Sequence, residues 1–202
     1  MLTSIGVIGL GRMAKAIILP LLERGEVKPD QILGVVKHKG SIRPIQDQFP
    51  QGIKVFTSDD PDSIFAWKAP VKLLAIKPQQ LDSVRQIVNQ LKTEDFAVKP
   101  LLVSLLAGVR LKRLEEVFFG HSCVRAVPNA PVLVGAGLTG LAWGDDIASA
   151  QKLLAENFFN AISETLELPE DQLDAFLALT SSGPAYIALI AEALADGAVA
   201  AG

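Results

Sequence analysis

Residues 5 to 14 read Ile5-Gly6-Val7-Ile8-Gly9-Leu10-Gly11-Arg12-Met13-Ala14, an apolar run that enters the spacing Gly9-x-Gly11-x-x-Ala14. These residue types in that order suit the binding of a dinucleotide diphosphate. Gly9 allows a sharp turn, Gly11 leaves the main chain open to an approaching pyrophosphate, and Ala14 allows close packing of helix on strand. The amides at the start of the helix then point at the anion. Apolar residues Ala14, Ile17, Ile18, Leu21 and Leu22 follow at helical spacing, as a helix leaving such a turn requires.

The end of the second apolar run bears on which dinucleotide. A carboxylate there would bind the ribose hydroxyls of NAD, but Val36 is followed by Lys37, His38 and Lys39, with no acid before Asp47. That triplet favours the 2'-phosphate of NADPH, with NADH as the alternative. His38 can donate a hydrogen bond to phosphate without being protonated. Three more apolar runs end in distinctive segments: Ala75-Ile76-Lys77-Pro78-Gln79, Ser104-Leu105-Leu106-Ala107-Gly108 and Val127-Pro128-Asn129-Ala130-Pro131. In an open parallel sheet such strand ends face the ligand crevice, and Pro78, Pro128 and Pro131 would hold the backbone still there. Lys77 is the cation so placed; by position alone it suits a surface helix start as well as a functional role.

Other reactive side chains point away from competing chemistries. His121 and Cys123 lie two apart and His38 is remote, which predicts no metal site. Cys123 sits at an apolar strand and reads as a buried small hydrophobe. Ser181-Ser182-Gly183 lacks the glycine-x-serine-x-glycine turn of a serine nucleophile. The group Asp59, Asp60 and Asp62 has the look of a helix cap.

The elements that must position these residues alternate. Strand-like runs fall near residues 5–8, 32–36, 53–56, 71–76, 101–105, 124–127, 138–143 and 163–168, with helical patterns between them. Leu81, Val84, Ile87, Val88 and Leu91 form the clearest helical stripe. Strands this apolar need cover on both faces, which predicts an α/β fold with a doubly wound sheet. Pro20 predicts a kink in the first helix. The chain has 202 residues, 50% of them hydrophobic, a net charge of -3 and one cysteine. That balance suits small-molecule partners and no nucleic acid, and the single cysteine suits a reducing cytoplasm. The apolar runs are interrupted before the length of a membrane span, so no membrane association is expected.

Taken together, these segments resemble the pyrroline-5-carboxylate reductases. The resemblance rests on Ile8 to Ala14, Ala75 to Gln79 and Val124 to Pro131, and above all on Ser182-Gly183-Pro184-Ala185-Tyr186 followed by Glu192-Ala193-Leu194-Ala195-Asp196-Gly197. It implies NADPH-dependent reduction of 1-pyrroline-5-carboxylate to L-proline on a Rossmann-like domain, residues 1–168. Residues 169–202 would begin an all-helical dimerisation and substrate domain that the family continues beyond this point. By the same resemblance Ile8, Gly9, Leu10, Gly11, Arg12 and Met13 would hold the pyrophosphate and Lys37, His38 and Lys39 the 2'-phosphate. Asp60 would lie near the adenosine, and Ile76, Lys77, Pro78, Ala107 and Gly108 near ribose and nicotinamide. Lys77, Asn129 and Ser182 are the residues expected near the substrate, with no general acid assigned.

The chain departs from the family pattern at three places. Ala130 stands where the family has threonine, Asp60 where it has asparagine, and Thr180-Ser181 where it has Ser-Gly. The tail adds its own signal: from Ala185 onward the charges are Glu192 and Asp196, four apart on one face, while Tyr186, Ile187, Leu189, Ile190, Leu194 and Val199 surround the rest. Such a helix needs a cover, which predicts a homodimer or larger homo-oligomer through residues 170–202. Another dehydrogenase of hydroxyacid or deazaflavin type, and a non-catalytic cofactor-binding module, are the alternative readings.

Overall fold

The computed structural model describes residues 4–91 and 98–202. Eight strands form one sheet in the order β3-β2-β1-β4-β5-β6-β7-β8. They are β1 (Ile5–Ile8), β2 (Ile32–Val36), β3 (Lys54–Thr57), β4 (Val71–Leu74), β5 (Leu101–Ser104), β6 (Ser122–Pro128), β7 (Gly137–Trp143) and β8 (Ser163–Glu167). All eight expected strand runs are present, with ends that differ by a few residues. Pairing is parallel from β3 through β6, whereas β7 runs antiparallel to β6 and parallel to β8. The short β6–β7 connection permits that reversal, since a parallel pair would need a crossover of a dozen or more residues.

Two apolar cores lie on the two faces of the sheet. One gathers α1 (Arg12–Glu23), α2 (Ile42–Gln46) and α6 (Ser149–Asn160) through Ile17, Ile18, Ile45 and Phe159. The other gathers α3 (Ile64–Trp67), α4 (Leu81–Val88) and α5 (Leu111–Val117) through Trp67, Val84, Val88 and Leu114. Strand residues alternate between them: Val7 belongs to the first core and Ile8 to the second, as side chains one apart on a strand point to opposite faces. Leu81, Val84 and Val88 are the buried stripe of α4, and Leu91 lies just past its end. Helix α1 continues without a break through Pro20, which is buried.

After β8 the chain becomes helical to its end: α7 (Leu173–Leu177), a π-helical stretch at Ala178–Ser182, and α8 (Gly183–Ala201). Leu173 and Phe176 are buried, and Leu173 belongs to the second core. Glu170 fixes this segment to the sheet. Its Oε1 accepts from the guanidinium of Arg125 on β6 at 3.0 Å and from the Leu111 amide at 2.5 Å. The Arg125 side chain is only 4% exposed, so the pair works in a poorly screened setting. In contrast, no residue of α8 is buried.

The opposite end of the sheet holds two buried bases. Lys72 Nζ donates to the Ala69 carbonyl at 2.7 Å, and burial brings its pKa down to about 7. His121 lies edge-on to Phe118; burial first, and the charge of Lys72 second, bring it down to about 4. A base whose folded pKa is depressed stabilises the fold fully above its free value and loses that contribution as pH falls through the folded value. For His121 the window runs from the ordinary 6.5 down to about 4. Urea unfolding at pH 7 and pH 4.5 should therefore show a loss on the order of 2 kcal/mol from this group, and His121→Phe should shrink that difference.

Candidate functional site

The first turn is built as the glycine spacing requires. Gly9 leaves β1 with φ +94°, and a Cβ there would lie 2.8 Å from the Ala75 carbonyl oxygen. Its amide donates to Val35 O at 2.9 Å, and the Ala75 amide donates to Ile8 O at 2.8 Å. The turn is thus wedged between the ends of β2 and β4. Gly11 is the residue before α1, and a Cβ there would meet nothing within 4 Å. Space therefore lies directly over the amides that open the helix. Ala14 is fully buried, which lets α1 lie close on the sheet.

A cleft of about 740 Å³ opens at this turn and runs along the carboxyl ends of β1, β2 and β4. Ile8, Gly9, Leu10 and Gly11 form its floor, Lys37 and His38 stand at the β2 end, and Ile76 and Lys77 at the β4 end. The structure brings those eight predicted residues together. Lys37, His38, Lys39 and Lys77 are all solvent-exposed, so their side chains are accessible to an anion. The Lys77 amide donates to Gln80 Oε1 at 3.0 Å, which orders the turn at Pro78–Gln80.

Other predicted residues take different places. Arg12, Met13, Lys39, Asp60, Pro78, Ala107 and Gly108 do not line the cleft. Asp60 is a cap: its Oδ1 accepts from the Asp62 amide at 2.9 Å. Its neighbour Asp59 lines the cleft instead, and a hydrogen bond from Thr57, aided by the charge of Lys39, holds its carboxyl below the usual range. Ala107 and Gly108 lie on an exposed turn after β5, next along the same sheet edge. Asn129 follows β6, the next strand again, and both ends of its amide are engaged: Nδ2 donates to Thr180 O at 3.2 Å and Oδ1 accepts from the Leu138 amide at 2.8 Å. Ser182 is exposed at the end of the π-helical stretch.

Sequence reasoning did not single out Ser41, Gln80 or Ser83, all of which line the cleft. Ser41 had a readable signal, a hydroxyl four residues beyond Lys37 in a turn. Gln80, just before α4, and Ser83 within it had none, because a polar residue there looks like any solvated one. Nor did the sequence reveal the π-helical stretch, a feature often found at functional sites.

The chemistry of the lining fits a phosphorylated dinucleotide: open amides at Gly11, cations at the end of β2, and apolar walls from Ile8 and Ile76. The two glycines should separate on substitution. Gly9→Ala should cost about 1–3 kcal/mol of stability through its positive φ and the Ala75 contact, and weaken cofactor binding with it. Gly11→Ala should leave urea unfolding nearly unchanged while lowering NADPH affinity, read by fluorescence titration, roughly tenfold or more.

Comparison with known proteins accords with both halves. Residues 4–108 match the family described as NADP oxidoreductase, coenzyme F420-dependent, and residues 170–202 match the pyrroline-5-carboxylate reductase dimerisation family. The chain is 39% identical to a pyrroline-5-carboxylate reductase of Synechocystis, an alignment that covers 98% of this chain and 71% of the relative. It is 32% identical to that of Arabidopsis thaliana, covering 98% and 69%. Among solved structures, the reductase of Coxiella burnetii superposes with a TM-score of 0.82 at 32% identity, covering 98% and 71%. The reductase of Plasmodium falciparum with NADP bound has a TM-score of 0.78 at 23% identity, covering 99% and 70%, a likeness of fold. With 98% of this chain aligned to reductases of this name at 39% and 32% identity, and its tail matched to their dimerisation family, this chain belongs to the pyrroline-5-carboxylate reductase family.

Proposed function

We propose that this protein reduces 1-pyrroline-5-carboxylate to L-proline with NADPH, in a cytoplasmic setting. The observation that carries the reading is the joining of the Gly9–Gly11 turn, the Lys37–His38 end of β2 and Lys77 in one cleft. When bound, NADPH would supply a hydride to the imine carbon, with a proton already on the imine nitrogen, so that a secondary amine would result.

The residues act mainly by orientation. The Gly11 and α1 amides hold the diphosphate, Lys37 and His38 meet the 2'-phosphate, and Ile8 and Ile76 offer apolar contact to the rings. Lys77 stands where the carboxylate of a small imino acid would be attracted. Fixing two rings in reactive contact supplies much of the acceleration such a reaction needs. Substrate-dependent NADPH oxidation tests this: turnover is expected with pyrroline-5-carboxylate and none with the oxoacids that a hydroxyacid dehydrogenase would reduce. Binding of NADPH without turnover on any of these would leave a cofactor-binding module. Lys37→Glu should raise the KM for NADPH roughly tenfold while changing that for NADH little.

The division at 168/169 belongs to the same proposal, with α7 as the joint between the sheet and the helical tail. The matched dimerisation family supports a homo-oligomer. We place its interface on residues 170–202, where Tyr186, Ile187, Ile190 and Leu194 are each more than half exposed. The helical stretch Glu170–Ala201 is long and apolar enough to cross a membrane by length and composition, contrary to the interrupted apolar runs read from sequence. An intersubunit interface accounts for such a stretch equally well. Ile190→Glu with Leu194→Glu, one helical turn apart, should shift the assembly to monomers in light scattering; an unchanged mass would place the interface elsewhere.

A further inference from the structure

The helix that follows β8 changes its winding at one place, and the sequence there gives the reason. In a regular α-helix the carbonyl of Thr180 would accept from the amide four residues on, but that residue is Pro184, which has no N–H and whose ring crowds the same carbonyl. The chain responds by widening into the π-helical stretch Ala178–Ser182, in which the Gly183 amide reaches back five residues to Ala178 O. The Thr180 hydroxyl turns to Phe176 O at 2.8 Å, a back-bond that bends helices. The Thr180 carbonyl is taken up by Asn129 Nδ2 at 3.2 Å.

Asn129 is only 9% exposed, and its Oδ1 accepts from the Leu138 amide at 2.8 Å. One orientation of the amide satisfies both partners. Reversed, it would set N–H against N–H and C=O against C=O. The side chain thus bridges the loop after β6, the start of β7 and the wide helical turn. Because β4, β5 and β6 are consecutive and parallel, that loop lies on the same sheet edge as Lys77, two strands or roughly 10 Å along.

We infer that Asn129 is a positioning residue: its side-chain amide stands in for the missing Pro184 N–H and locks the wide turn carrying Ser181 and Ser182 against the carboxyl edge of the sheet. In this role it does not touch substrate. The turn it holds presents two hydroxyls, and the cofactor cleft is built without it, from β1, β2 and β4. The inference rests on the proposed reductase reading for its kinetic consequence, but its structural half is independent of that reading.

The test uses the assembled protein and two variants, Asn129→Asp and Asn129→Ser. Asn129→Asp keeps the acceptor for the Leu138 amide and places an oxygen where Thr180 O needs a donor. With wild-type turnover established first, Asn129→Asp should lower kcat/KM for pyrroline-5-carboxylate roughly tenfold, with NADPH affinity within about twofold. Hydrogen exchange of the amides of residues 181–183 should quicken to a similar degree while those of β1 and β4 keep their protection. Asn129→Ser should do the same. Unchanged exchange at 181–183 would overturn the inference, as would unchanged kcat/KM or a parallel loss of NADPH binding. Loss of the fold in both variants would also overturn it, by making the amide a requirement of the β6–β7 connection. A wild-type protein that binds NADPH without turnover would instead refute the reductase reading, leaving the exchange measurement to decide the role of Asn129.

Discussion

The turn at Gly9 is the constraint on which the rest of the molecule depends. Three parallel strands end together there, and the chain leaving the middle one must turn while its backbone touches that of β4 at Ala75. A side chain at Gly9 would need both a left-handed backbone and space that Ala75 already fills. The hydrogen bonds from Gly9 to Val35 and from Ala75 to Ile8 then extend the ladder just past the strands. This brings the ends of β2 and β4 to the two sides of the turn, and their polar residues become neighbours across one cleft.

From that point outward, each layer holds the next. The two apolar cores fix the helices on both faces, and the reversal at β7 brings the chain back across the sheet so that the terminal helix can begin beside β6. Arg125 and Glu170 anchor it there with little exposure to solvent, while a charge pair left incomplete at this depth would be costly. Beyond Thr180, whose carbonyl Asn129 holds, the anchoring ends. Helix α8 projects with its apolar side chains exposed, as suits a surface completed by another copy of the chain.

The sheet was legible because its strands are almost wholly apolar and separated by helical stripes such as Leu81, Val84 and Val88. The antiparallel entry of β7 was not: Gly137 to Trp143 is as apolar as its neighbours, and direction depends on the length and path of the connection. Among candidate site residues, those fixed by strand ends, Gly9, Lys37 and Lys77, line one cleft. Asp59 and Asp60 show the limit. Two adjacent carboxylates are equal in sequence, and the hydrogen bond to the Asp62 amide decides that Asp60 caps while Asp59 faces the cleft.

Residue types and spacing by themselves determined a dinucleotide turn, a cationic second strand end, a doubly wound sheet and a tail in need of cover, because glycine geometry, charge and apolar periodicity are local properties. Tertiary structure alone decided that Asn129 meets Thr180, that Glu170 reaches Arg125, and that Ser41 and Ser83 share a cleft with Gly11. Those partners are separated by tens of residues, and a hydrogen bond or shared wall between them exists only once the sheet has set their distance. Pro184 joins the two levels: the sequence removes an amide, and the fold determines which side chain supplies the donor in its place.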